Sequence, residues 1–186
     1  MERIKFLIIS AVCAIVAMTA VSCGNDDDDS TTVPASVMQS LPGFYSNVVT
    51  FDDKAVLCVM NVEVTTTTAT FNLPWEAIFE YVMGSGSAEA AASVRASDVT
   101  ATYRPVYYNN NVASLLMDTQ TVNFRYTLDG AERTGQLTLS TPSIAYDSVK
   151  KQLRVGMSIS KVVLGGEEVK SFKPVHFYMQ PSEKKN

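Results

Sequence analysis

The stretch Val122-Asn123-Phe124-Arg125-Tyr126-Thr127-Leu128-Asp129-Gly130 decides the fold. Its apolar residues Val122, Phe124, Tyr126 and Leu128 recur at every second position, against Asn123, Arg125 and Thr127. Successive side chains of a strand point to opposite faces, so this alternation predicts a strand with one face in a core and the other in water. Asp129-Gly130 then offers the backbone freedom that a tight hairpin turn demands.

The same period returns elsewhere. Val56, Cys58, Met60, Val62 and Val64 alternate with Asn61, Glu63 and Thr65. Leu153, Val155, Met157 and Ile159 alternate with Arg154, Gly156 and Ser158, and Val175, Phe177 and Met179 with His176, Tyr178 and Gln180. Asp52-Asp53 separates the first two strands and Gly165-Gly166 the last pair. Short strands joined by short turns make an antiparallel meander. The expected fold class is all-β, a single meander closed into a barrel or folded into a two-sheet sandwich, since both need the same alternation.

One segment departs from this period. Between Pro74 and Gly84, Trp75, Ile78, Phe79 and Val82 follow helical spacing, with Glu76 and Glu80 on another face. Proline near the start and glycine at the end are the usual punctuation of a helix, so a short amphipathic helix is expected over about 74–83. The alanine-rich run Ser87 to Arg95 offers a second helical turn.

The amino terminus bears on location. Basic residues Arg3 and Lys5 precede an uncharged run from Phe6 to Val21, 16 residues long. A membrane-spanning helix needs roughly 20. A basic start, a short apolar middle and small residues before a boundary are the parts of a secretory signal peptide. The boundary Ala20-Val21-Ser22-Cys23 resembles a bacterial lipobox, and that resemblance implies lipidation of Cys23 and an anchor in a membrane. Asp26 to Asp29 follow. Adjacent carboxylates repel one another and stay solvated, which makes this run a tether. A cysteine followed closely by an acidic cluster resembles the surface-export signal of Bacteroidetes lipoproteins. It implies the outer membrane with the chain exposed at the cell surface; the periplasmic face is the alternative.

These readings divide the chain into a signal peptide (1–22), a lipidated cysteine with an acidic and Ser/Thr/Pro-rich tether (23–40), one β domain (41–181) and a charged tail (182–186). Loss of residues 1–22 removes Glu2, Arg3 and Lys5 and takes the net charge from -4 to -5, of which Asp26 to Asp29 carry four. The β domain is therefore nearly neutral and has no basic field to attract nucleic acid. Of three cysteines, Cys13 leaves with the signal and Cys23 carries lipid, so Cys58 has no partner for an internal disulfide and reads as a small core hydrophobe.

Catalytic signals are sparse. His176 is the sole histidine, which excludes multi-histidine metal sites, and no Gly-x-Ser-x-Gly elbow accompanies it. Gly84-Ser85-Gly86-Ser87 follows a helix, whereas a phosphate loop opens one. No cofactor is implied, and the expectation is a non-catalytic protein. Carboxylates that meet only in space remain the route to a hydrolase.

Binding signals are better represented. Tyr107, Tyr108 and Asn109 combine aromatic faces with an amide, a chemistry that holds sugar rings. Asp29-Ser30-Thr31 and Asp147-Ser148-Val149 resemble the O-glycosylation site of exported Bacteroidetes proteins, which makes Ser30 and Ser148 candidate acceptors. The sequences "LPGFYSN" and "NLPWEAIF", with the meander, resemble the lipocalin-like (calycin-like) domains of small Bacteroidetes lipoproteins of unknown function. The resemblance implies a binding module for a small apolar ligand or a glycan. The alternative is a structural or protein-interaction subunit among other envelope proteins.

Overall fold

The computed structural model describes residues 32–51, 54–84 and 87–185. The signal peptide, Cys23, the aspartate run and Ser30 lie outside the described residues. Among the described residues eleven strands form: β1 (Gly43–Phe51), β2 (Lys54–Val64), β3 (Thr68–Asn72), β4 (Arg95–Ala96), β5 (Val99–Asn109), β6 (Val112–Met117), β7 (Gln120–Leu128), β8 (Ala131–Asp147), β9 (Gln152–Leu164), β10 (Glu167–Glu168) and β11 (Val175–Glu183). Three short helices accompany them within the same described residues: α1 (Ala35–Ser40), α2 (Trp75–Met83) and α3 (Ala88–Ala92).

Every strand pairing is antiparallel, and hydrogen bonding runs β9-β11-β1-β2-β3-β5-β6-β8. The additional β8–β9 pairing, from Gly135↔Leu164 to Asp147↔Gln152, joins the two ends. The result is a closed barrel of 8 strands, and the choice between barrel and sandwich falls to the barrel. Closure leaves the eight barrel strands without a free edge. Strands β4, β7 and β10 are additions outside the ring.

The alternating apolar residues point inward as their period requires. Met60, Val62, Phe124, Tyr126, Val155, Met157, Phe177 and Met179 are all buried. Strands β3 and β6, which the alternation above does not single out, add Ala69, Phe71, Ala113, Leu115 and Met117 to the same core. Hairpin turns fall where tolerant residues allow them: Asn110 and Asn111 carry φ of 47° and 67° between β5 and β6, and Asp129 and Gly130 carry 53° and 75° between β7 and β8. Gly165-Gly166 joins β9 to the two-residue β10, and the chain then runs through 169–174 before β11.

Helices close both ends of the ring. At one end, α1 sits against Tyr146 of β8, whose hydroxyl donates to the Ser40 carbonyl (3.2 Å), and Tyr45 donates to the Leu41 carbonyl (2.6 Å). Val33, Val37 and Leu41, four residues apart, are buried with them. The folded unit thus begins before Leu41; a six-residue helix among Ser, Thr and Pro carries too little periodicity to stand out. At the other end, α2 buries Ile78 and Phe79. Phe79 meets Tyr126 with tilted rings (4.9 Å between centroids), and Tyr81 stacks on Phe51 (5.3 Å).

The expected tail begins inside β11, which takes in Ser182 and Glu183. Pro181 has no N–H to give to the ladder, and the β11 register shifts between Met179 and Ser182. Side chains fill the gap. Ser182 Oγ accepts from Ser46 N (3.0 Å) and donates to Ser46 O (3.1 Å), while Asn47 Nδ2 donates to Pro181 O (2.6 Å). Ser182 is buried for this reason.

Two outcomes follow from this packing. Ser182→Ala leaves both Ser46 backbone groups without that hydroxyl, and should lower unfolding free energy by about 1–3 kcal/mol in urea titrations. Burial, and after it the neighbouring Tyr146, push the Tyr45 phenol far above its ordinary value of 10.0; burial also raises Tyr103 and Tyr126. A raised folded pKa means that the stabilisation is complete below the unfolded value and is lost as pH climbs past it. Stability should therefore fall above about pH 10, where an unfolded phenol ionises. Tyr45→Phe should flatten that fall, as read from the urea midpoint against pH.

Candidate functional site

Strands β6 and β7 are successive halves of one arm, interrupted at Asp118-Thr119, and β8 pairs with both. Beyond the register shifts between Ser140 and Ser143, the arm parts from β5, and β7 takes β4 as its outer neighbour. This produces a flank, β4-β7-β8-β9, whose inner face rests on α2 and whose outer face is open to water.

The outer face carries a groove of about 720 Å³. Its first row is Arg95, Arg125 and Thr134, directly opposite one another across β4, β7 and β8. Its second row is Asn123, Gln136 and Val163, opposite one another across β7, β8 and β9. Gln136 Nε2 donates to Asn123 Oδ1 at 3.0 Å, which leaves the other half of each amide to a ligand. Ser97 and Gly166 stand at the rim.

The floor is held from the inner side. A Cβ on Gly135 would lie 2.3 Å from the Phe124 ring, so only glycine lets that ring lie against the strand. The ring in turn contacts Trp75 of α2 at 5.5 Å. Trp75, the sole tryptophan, is thereby a packing residue beneath the groove, in keeping with its helical spacing.

The groove lining contains two arginines and no carboxylate. Arg95 is oriented by its own Nη1, which donates to Ala92 O (3.0 Å) and Val94 O (2.7 Å). Arg125 lies 3.6 Å from Glu132 outside the lining, with both side chains 69% exposed. An exposed pair of that length holds weakly.

The residues expected to bind from sequence lie elsewhere. Tyr107, Tyr108 and Asn109 end β5 at its turn into β6, beside the β8–β9 turn and on the α1 side of the barrel. Asn109 Nδ2 donates to the Tyr107 hydroxyl (2.8 Å), and the Tyr108 hydroxyl lies 3.4 Å from Ser148 Oγ. Ser148 is itself partly buried, its hydroxyl donating to Asn111 O (3.0 Å). The structure thus joins Tyr108 to Ser148 but gathers Tyr107 and Asn109 around each other.

The candidates for catalysis are likewise dispersed. His176 Nδ1 shares a hydrogen bond with Ser158 Oγ across the β9–β11 pair. Ser158 is paired on its other side with Ser140, so the backbone N–H groups around it belong to the ladder and form no oxyanion hole. Glu76 and Glu80 face water on α2. Burial pushes the Cys58 thiol up, away from the thiolate a nucleophile requires. Among the described residues, no group of three His, Cys, Asp or Glu stands close enough to hold a metal ion.

Sequence reasoning did not single out the groove. Its signal is half present: Asn123 and Arg125 form the outward set of β7, and hairpin register from Asp129-Gly130 sets them against Gln136 and Thr134. Arg95 arrives from 30 residues upstream of Arg125, on a two-residue strand with no pattern of its own. Comparisons add no kinship: no family model, curated protein or solved structure matches the chain.

Gly135→Ala should force Phe124 from its seat, costing about 1–3 kcal/mol by overpacking. It should also shift the emission of Trp75, measured by fluorescence during urea unfolding.

Proposed function

We propose that the chain is a non-catalytic binding module of the cell envelope, anchored in the outer membrane through lipid on Cys23, and that its ligand is a glycan held in the outer groove. The observation that carries this reading is the contrast between a filled barrel and an open flank. In lipocalin-like barrels an apolar ligand sits inside the ring. Here the inward space is taken by Tyr45, Phe71, Tyr146 and Phe177, all essentially buried. The void between α2 and the sheet measures about 10 Å³, near the least that admits one water. The groove, at about 720 Å³, falls within the usual range of ligand sites, and its amides and hydroxyls suit a polar chain.

Orientation supports the same reading. The described chain enters through α1, beside Tyr146, whereas the groove surrounds Gly135 on the same strand. At about 3.3 Å per residue, the strand between them measures roughly 35 Å. The described chain therefore begins at the end of the barrel remote from the groove. The alternative, a protein-interaction subunit, calls for a contiguous apolar patch. Phe44 and Val59 are exposed but four residues apart in register, and Tyr107 and Val149 lie by the α1 end.

A saccharide panel tests the reading, with the full-length protein held in detergent micelles. We expect a soluble oligosaccharide to bind, and the double variant Asn123→Ala, Gln136→Ala to weaken it roughly tenfold through lost hydrogen bonds. Absence of saccharide binding would overturn it, and a co-purified apolar molecule released only on denaturation would move the ligand to the barrel interior.

A further inference from the structure

Arg95 and Arg125 face each other on adjacent strands of the groove, and that pairing carries information about the ligand. Like charges placed directly opposite in a sheet are destabilising, and Cα atoms of paired residues stand only about 5 Å apart. The full chain is acidic, with a net charge of -4, yet the groove lining concentrates two cations with no carboxylate among its residues. Glu132, at 3.6 Å from Arg125, stands outside the lining and is highly exposed. The protein offsets the pair only in part, with that exposed carboxylate beside Arg125 and the Ala92 and Val94 carbonyls beside Arg95. A bound anion would relieve it.

Resting on the glycan reading, we propose that the groove recognises an acidic polysaccharide, a chain of uronic acids whose carboxylates are held by Arg95 and Arg125. Guanidinium groups match carboxylates with two parallel N–H···O bonds, a geometry that favours a planar anion. Arg95 is prepared for this. Its Nη1 is fixed on the Ala92 and Val94 carbonyls, and its other N–H groups remain for the ligand. Asn123 and Gln136, one row further along, meet hydroxyls of the next sugar. The joined pair keeps one amide N–H₂ and one carbonyl oxygen, a donor and an acceptor. Alternating carboxylates and hydroxyls along a uronate chain fit an arginine row beside an amide row.

The test is calorimetric titration of the full-length protein in detergent, using oligogalacturonate and its fully methyl-esterified counterpart. The ester keeps the sugar and removes the charge. The acid should bind at least tenfold more tightly, and less so as salt is raised, because exposed charges are screened. Arg95→Gln and Arg125→Gln should each weaken the acid about tenfold and weaken the ester far less, so that the preference for the acid shrinks. Glu132→Gln, which removes the competing carboxylate, should tighten the acid. That gain of affinity cannot come from misfolding, and circular dichroism with Trp75 emission checks the arginine variants.

Equal binding of acid and ester would overturn the inference while leaving the glycan reading intact. So would binding of a neutral saccharide alone. Equal or tighter binding of poly-glutamate or dextran sulfate would reduce the groove to a charge patch without preference for uronates, which also overturns it. If no saccharide of either charge binds, the glycan reading falls as well.

Discussion

Strand β8 is the element on which the other parts depend. Its 17 residues pair with β6 and β7 on one side and with β9 along both halves on the other. Without the β8–β9 ladder the sheet would be open, with apolar residues such as Leu139, Ile144, Leu153 and Ile159 on a face lacking a partner. Closure buries that face and removes two sheet edges at once. It also imposes the local irregularity between Ser140 and Ser143, where the strand leaves the tight ring and begins the flank. The same strand thus builds the core with one half and the groove with the other.

The flank is packed on one face and open on the other. Its inner face needs α2, because Phe124, Leu137 and Val162 extend past the ring and would otherwise meet water. Helix α2 supplies Trp75, Ile78 and Phe79 to cover them. Gly135 lets Phe124 lie close enough to serve both sides, filling the seam beneath and leaving the strands above open. Outer residues are then free of any packing role, and their chemistry is open to a ligand. A filled barrel with a splayed flank differs in this from a barrel that encloses its ligand. Tyr45, Phe71, Tyr146 and Phe177 are buried in this barrel's interior.

Much of the architecture was legible because a half-buried strand writes its two faces into alternate residues. Val122 to Leu128 and Leu153 to Ile159 show this, and so does Trp75 to Val82 at the helical period. Closure was not legible, since barrel and sandwich bury the same faces. Short elements were missed for want of periods: α1 has six residues and β4 two. The start of the folded unit shifted accordingly from Leu41 to Val33. The tail gained a strand because the buried Ser182 repairs the ladder beside Pro181, a role that no serine advertises in sequence. The groove was hidden for a different reason. Arg95 and Arg125 are adjacent only through a long-range pairing, whereas Tyr107, Tyr108 and Asn109 are contiguous and attract attention for that alone.

The proposed ligand meets the outer face of the flank and leaves the barrel interior undisturbed. Hydrogen–deuterium exchange on the full-length protein in detergent, with and without saturating oligogalacturonate, tests this most directly. Exchange should slow only in peptides covering Arg95 to Ser97, Asn123 to Arg125 and Thr134 to Gln136. Protection centred on Tyr107 to Asn111, or on the interior strands β1, β2 and β11, would contradict it.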